Sequence, residues 1–328
     1  MSSANVPATP AAPAKPRFKY VESHVVGQEM NLPKQLLYQL MCLFVAFTVL
    51  FPILWVVSMS VDPNADVLRP TTLNLIPPGF SLKAYADIIA KPSPNPAEVN
   101  LFDSGIKVSG LPLLAMNSIM IALGSAFASV MVGVFAAYAF SRFKFAGRQT
   151  LMLAILAVLI LPSVATLAPL FVLLNGVTIG DFNLRNSLLG VGVAMLSGLL
   201  PFSIWNLKGF IDTIPKELEE AALIDGASPN QTFFSIMLPL ATPAIAITAF
   251  LGFLSGWTEF YLSWQFLTHP ESFTLAMALY NMTGQFASAT PWSHFSAMSI
   301  IIALPVAVVY LALQKYIIGG LTIGGVKG

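Results

Sequence analysis

Six long apolar runs constrain this chain more than anything else in it. They cover about 36–60, 112–139, 150–175, 186–207, 241–266 and 295–318. A helix needs roughly 20 apolar residues to cross a bilayer, and each run has that length. In hydrocarbon every backbone polar group must be satisfied within the protein, which a helix does along its own length. The expectation is an all-α, polytopic membrane protein with six transmembrane helices. Only 9% of the residues are charged, against about a quarter in a soluble domain.

The basic residues orient the runs. SRFKFAGR, straight after the second run, places Arg142, Lys144 and Arg148 in one short loop, a marker of the cytoplasmic side. Lys15, Arg17, Lys19, Lys34, Lys208, Lys216, Lys315 and Lys327 fall on that side with them. Arg69, Lys83, Lys91, Lys107 and Arg185 fall outside, mostly in a long polar loop at 61–111. Both termini are then cytoplasmic. Residues 1–34, rich in Pro, Ala and Ser, read as a disordered basic tail without the apolar run of a signal peptide, or as a partner-binding arm. SLKAYADIIA, 81–90, reads as a short amphipathic helix within the external loop. A net charge of +1 gives no footprint for nucleic acid. One cysteine excludes a disulfide framework, and His24, His269 and His294 lack metal-ligand spacing.

Within the runs, Ser125, Ser129, Gly133 and Ala137 recur every four residues, a stripe that lets a neighbouring helix pack closely. Pro162 and Pro169 bend the third run, either as a packing kink or as a pathway lining. Glu259 is the one acid inside a run. An ionisable group there is costly. Three readings are open for it: it lines a pathway, it holds a neighbouring helix through a buried bond, or it reaches the outer surface.

The longest polar interruption of the second half is EAALIDGASPNQTFFSIMLP, Glu220 to Pro239, within a cytoplasmic loop at 208–240. It reads as two short helices meeting at a bend. The first starts near Thr213 with Pro215 in its first turn, where a missing N–H costs little. Glu217, Glu219 and Glu220 suit its positive end. Gly226 is the natural C′ stop. Ser-Pro-Asn-Gln at 228–231 is a capping box with Pro229 at N1. Ala221 and Ala222 leave a surface of small side chains that another protein can approach closely.

Glu220-Ala221-Ala222, three residues, Gly226, nine residues, Ile236, one residue, Leu238-Pro239 meets every fixed position of the EAA motif. From about residue 35 onward the chain resembles the permease subunits of carbohydrate importers of the ABC type. AYAFSRFKFAGR and the terminal GLTIGGVKG resemble the maltose/maltodextrin, MalG-type branch. The resemblance implies a type I ABC importer permease (MetI-like) fold in the bacterial inner membrane, with residues 35–318 as the permease domain and 319–328 as a cytoplasmic tail. It implies a second, MalF-like permease subunit, a homodimeric MalK-like cytoplasmic ATPase, and a periplasmic or lipid-anchored sugar-binding protein. Glu220, Ala221, Ala222, Gly226, Ile236, Leu238 and Pro239 would couple to the ATPase. Gly324, Gly325, Val326 and Lys327 in the tail would insert between its subunits, unless the tail is a frayed end. Gly284, Gln285 and Phe286, in an external loop with Tyr280 and Trp292 at its base, would reach the binding protein, unless the loop is a plain turn. For Glu259 the three readings stay open; in the pathway reading it would hydrogen-bond sugar hydroxyls.

The chain carries no G-x-x-x-x-G-K-S/T, no H-E-x-x-H and no G-x-S-x-G. The expectation is a subunit that is not an enzyme and binds no cofactor or metal, with ATP and Mg on the partner ATPase. Two other classes remain in view. A stand-alone secondary carrier would need mid-membrane ionisable groups and an internal repeat. A membrane-embedded enzyme would need a clustered nucleophile or metal set.

Overall fold

The computed structural model describes residues 32–64, 75–90, 99–100, 107–108, 110–283 and 290–324. The chain forms two units, Met1–Pro52 and Ile53–Gly328. The described part of the first is helical: α1 (Leu32–Ser60) starts there and holds Pro52 within it. Helix therefore begins at Leu32, inside the expected tail 1–34, and residues 1–31 lie outside the described part. All packing below belongs to the second unit.

Helices follow the apolar runs. α1, α3 (Leu111–Arg142), α6 (Leu188–Ile211) and α13 (Trp292–Gly324) are each long and apolar enough to cross a membrane. Two pairs pass the same test only together, each bent at a short break. One joins α4 (Arg148–Ala157), with its 3₁₀ extension Val158–Ile160, to α5 (Ser163–Asn175). The other joins the helical segment Pro229–Leu240 to α10 (Thr242–Trp257) at 72°. With each pair taken as one crossing the described residues hold up to six spans; of the second pair only α10 lies in the expected fifth run, since Pro229–Leu240 precedes it.

The third and fifth runs are thus broken rather than continuous. At Pro162 the ring excludes the preceding residue from helical angles, and Leu161 is extended at φ −68°, ψ 131°. The fifth run stops at Trp257 and resumes as α11 (Tyr261–Phe266). α13 runs six residues past the expected end at 318, because the pair Gly319-Gly320 weakens helix without removing a backbone hydrogen bond. α2 (Lys83–Ala90) starts two residues into the expected 81–90, with Ser81 Oγ accepting from Lys83 N at 3.2 Å. Two small antiparallel ribbons accompany the helices, β1 (Val99–Asn100) with β2 (Lys107–Val108) and β3 (Thr178–Ile179) with β4 (Phe182–Asn183).

α3 is the central strut, packed along both α6 and α10. The small-residue stripe makes this possible: Ser125, Ser129, Gly133 and Ala137 are all buried. Glycines answer from α10. A Cβ on Gly256 would stand 2.7 Å from Ala122 Cα, and one on Gly252 2.9 Å from Ala126 Cα. No side chain fits there without the helices moving apart. Around the strut lie three apolar clusters. One gathers Leu114, Ala122, Phe253, Trp257 and Met298, and another Ile121, Leu174, Val191 and Phe266. The third, with Val134, Leu207, Ile211, Phe233 and Met237, sits under the polar loop between α6 and α10.

Candidate functional site

The loop between α6 and α10 is built from local signals. α7 (Glu217–Ile224) begins two residues after Pro215, rather than near Thr213. Thr213 and Ile214 instead close turns onto Phe210 and Ile211 at the end of α6. α7 ends in a Schellman motif: Gly226 N donates to Leu223 O at 3.1 Å and Ala227 N to Ala222 O at 3.0 Å. Gly226 takes φ +87°, which glycine adopts without cost and a β-carbon disfavours. Ser228 then caps α8 (Pro229–Thr232) reciprocally. Its N–H donates to Gln231 Oε1 at 2.8 Å and its Oγ accepts from Gln231 N at 3.3 Å. α8 continues through a π-helical turn, Phe233–Met237, into α9 (Leu238–Leu240).

The motif residues face two ways. Glu220, Ala221, Gly226 and Pro239 are exposed, whereas Ala222 is buried and Ile236 and Leu238 are partly so. Ala222 therefore does not belong to the outward small surface expected of it. With the helix starting at Glu217, Glu219 and Ala222 lie three residues apart on the inner face. The outer face also carries Leu218, Leu223, Phe234 and Ile224, the last 87% exposed. These apolar side chains stand exposed in the same loop as the exposed acids Glu217, Glu220 and Asp225.

The inner face is fixed to α3 by charge. Arg142, in the last turn of α3, pairs through Nε with Glu219 Oε1. Its Nη2 donates to Ile214 O at 2.9 Å and its Nη1 to Ser141 Oγ at 3.1 Å. Tyr138 Oη donates to the other Glu219 oxygen at 2.9 Å. Ser141 Oγ donates to Asp212 Oδ1 at 2.6 Å, and Lys208 Nζ reaches Asp212 Oδ2 at 2.5 Å. The Arg142 and Glu219 side chains are only 7% and 12% exposed. Burial by itself would raise the Asp212 pKa, but the hydrogen bonds from Lys208 and Ser141 and the charges of Lys208 and Arg142 outweigh it. The carboxyl therefore lies below its ordinary range. Beside this network the Phe233 ring meets Tyr138 edge-on, 4.8 Å between centroids, and stacks on Phe135 at 5.4 Å.

Glu259 sits far from this loop in function and form. It occupies the break between α10 and α11, and its carboxylate caps α11. Oε1 accepts from Leu262 N at 2.6 Å, and Oε2 from Ser263 N at 3.1 Å and from Ser263 Oγ. Its own carbonyl accepts from Thr274 Oγ1 at 3.2 Å. Thr274 in turn caps α12 (Leu275–Asn281). The same end is tied to α3 by Asn117 Nδ2, which donates to Glu271 O at 2.7 Å and Phe273 O at 2.9 Å. The Glu259 side chain thus bonds to the turn that follows it rather than to a neighbouring helix, which only its backbone carbonyl reaches, at Thr274.

Gly324 ends α13. Gly325, Val326 and Lys327 lie outside the described residues, as do Gly284, Gln285 and Phe286. Among the described residues no three of His, Cys, Asp and Glu come together as a metal group. Sequence reasoning passed over the Arg142–Glu219 pair, taking Arg142 as a sidedness marker and Glu219 as a macrodipole acid. No local pattern announces it: that Glu219 shares the inner face with buried Ala222 follows only from α7 starting at Glu217.

Comparison with known proteins agrees with this geometry. The family described as "Binding-protein-dependent transport system inner membrane component" matches residues 129–322. The galactooligosaccharide permease GanQ of Bacillus subtilis is 33% identical over 289 residues, 88% of this chain and 94% of that protein. The maltose/maltodextrin permease MalG of Escherichia coli K12 is 33% identical over 303 residues, again 88% and 94%. The trehalose permease SugB of Mycobacterium tuberculosis is 31% identical over 279 residues, 85% and 93%. In fold, the chain is similar to one in the crystal structure of a bacterial ABC transporter that imports alginate. The TM-score is 0.66 at 22% identity, over 88% of this chain and 99% of that one. With the spans, the bent loop and its motif in place, the chain belongs to the family of binding-protein-dependent transport system inner membrane components.

Proposed function

We propose that this chain is one permease subunit of an ATP-driven importer of maltose/maltodextrin or a related oligosaccharide. The observation that carries the reading is the loop between α6 and α10. Its inner face is pinned to α3, and its outer face presents Glu220 and Ala221 beside exposed Leu223 and Ile224. An exposed apolar and acidic surface on a fixed base suits a partner that must push on the membrane part. That partner is a homodimeric, MalK-like ATPase, which would hold the ATP and Mg. The basic end of α3, both termini and the loop 208–240 are then cytoplasmic, and 61–111 and 267–294 external.

A second, MalF-like permease would complete the pathway, and a sugar-binding protein would deliver substrate near the segment 284–289. Gly284, Gln285 and Phe286 are assigned to that contact, and Gly324 to Lys327 to a contact with the ATPase. The substrate class rests on relatives named for galactooligosaccharides, trehalose and maltose/maltodextrin at 31–33% identity. All are sugars of linked pyranose rings. Glu259 also speaks against a solitary ion-coupled carrier, because both its carboxylate oxygens are engaged in capping α11.

The test is growth and uptake on a panel of sugars after deletion of the gene. Loss of uptake of maltose, maltodextrins, trehalose or galactooligosaccharides, with glucose unaffected, is expected. Unchanged uptake of every linked sugar would overturn the substrate class.

A further inference from the structure

We infer that the chain Lys208–Asp212–Ser141–Arg142–Glu219–Tyr138, buried at its Arg142–Glu219 pair, is the rigid joint through which force on the coupling loop reaches the membrane helices, with Arg142 and Glu219 as its positioning residues. The inference rests on the docking role proposed above and adds how a docked loop moves the spans.

The joint touches three elements at once. Tyr138, Ser141 and Arg142 belong to the last turns of α3, Lys208 to the last turn of α6, and Glu219 to α7. Asp212 and Ile214 lie in the turn between α6 and α7, so Arg142 holds that turn by its backbone and α7 by its carboxylate. A guanidinium presents several donors in a fixed planar fork, and here three of its nitrogens have three different acceptors. Such a site fixes orientation as well as distance. Both Glu219 oxygens are used, one by Arg142 and one by Tyr138. The α7 segment therefore has little freedom to roll against α3. Glu220, next in sequence and about 100° further round the helix, is exposed. Adjacent acids thus take different tasks, one facing the partner and one facing the strut. A displacement imposed at Glu220 passes through Glu219 and Arg142 into α3. Because α3 packs along α6 and α10 with glycine-close contacts, it does not stop there.

The test uses the complete importer in proteoliposomes, with Arg142→Lys, Glu219→Gln and the double variant. Arg142→Lys keeps the charge and loses the fork. Three quantities are read: ATPase co-purified per transporter, ATP hydrolysed, and maltotriose or the established substrate imported. The expected result is unchanged co-purification with ATP consumed per sugar raised at least about fivefold, the lower end of usual coupling strengths. The double variant should be no worse than the poorer single one, because the two side chains act as one contact. An unchanged ratio would overturn the joint, even if less transporter reached the membrane, since that is the mark of a merely structural pair. Loss of the ATPase in these variants would also overturn it, because the pair would then be shaping the docking surface. Glu220→Arg reports on docking separately. It is expected to lose the ATPase, and retention of the ATPase with normal uptake counts against docking itself.

Discussion

The Arg142 guanidinium, in the last turn of α3, donates both to the Glu219 carboxylate in α7 and to the Ile214 carbonyl in the turn before it. The sequence separates the pair by 77 residues, and the fold buries it. Taking one partner from a buried ion pair leaves an uncompensated charge and costs about 3–5 kcal/mol. Glu220, beside it and exposed, has no such debt. Glu219→Ala is therefore expected to lower the melting temperature of the purified chain and to open the 208–240 loop to protease. Glu220→Ala should shift stability by no more than about 0.5 kcal/mol. Thermal unfolding in detergent with timed proteolysis compares the two, and equal effects would contradict their assignment to different faces.

Gly226 supplies a second contrast. A Cβ there meets nothing within 4 Å, so the constraint is the backbone angle of +87° alone. A β-branched residue at such an angle costs about 1–2 kcal/mol, while asparagine tolerates it better. Gly226→Val should leave the chain in the membrane but weaken its hold on the ATPase, and Gly226→Asn should retain most of it. Pull-down of the ATPase with each variant measures this. Equal retention by both would show that the bend does not set the docking surface.

At Gly256 the constraint is space. A Cβ would stand 2.7 Å from Ala122 Cα and 2.9 Å from Ile121 O, both backbone atoms with nowhere to go. Overpacking of a tight helix contact costs about 1–3 kcal/mol or more. Gly256→Leu should reduce the amount of folded protein recovered, whereas Gly124→Ala, with nothing within 4 Å, should not. Size-exclusion profiles of the two variants in detergent check it.

Glu259 tests whether an acid in a span is a pathway group or a cap. With its oxygens on Leu262 N and Ser263 N, loss of the side chain should cost about 0.5–2 kcal/mol, as for other N-terminal caps. Glu259→Ala should lower thermal stability, and the apparent KM for sugar should stay unchanged. A KM that rises with little change in stability would restore the pathway reading.

The apolar runs made the spans legible, because bilayer length is imposed by the solvent and needs no knowledge of packing. Local backbone chemistry was legible for the same reason. Ser228 and Gln231 cap as their spacing implies, and Gly226 takes the left-handed angle that ends α7. Phase was not legible. The EAA spacing fixes which residues recur and says nothing of which way Ala222 points, and that depends on α7 starting at Glu217. The breaks at Pro162 and after Trp257 were only half visible, since hydropathy runs straight through both. The Arg142–Glu219 pair was invisible to any local pattern. It forms because α3 and the end of α6 pack closely enough to bring two distant charges together.

The most direct measurement is sugar uptake by proteoliposomes that contain this chain, its second permease, the ATPase and the binding protein, with ATP supplied inside. Maltodextrin or a related oligosaccharide should accumulate only when ATP, the ATPase and the binding protein are all present. Glu220→Arg should abolish uptake together with ATPase co-purification. Uptake that persists without ATP or ATPase, or that Glu220→Arg leaves intact, would contradict the assignment of this chain as the ATPase-coupled permease of an oligosaccharide importer.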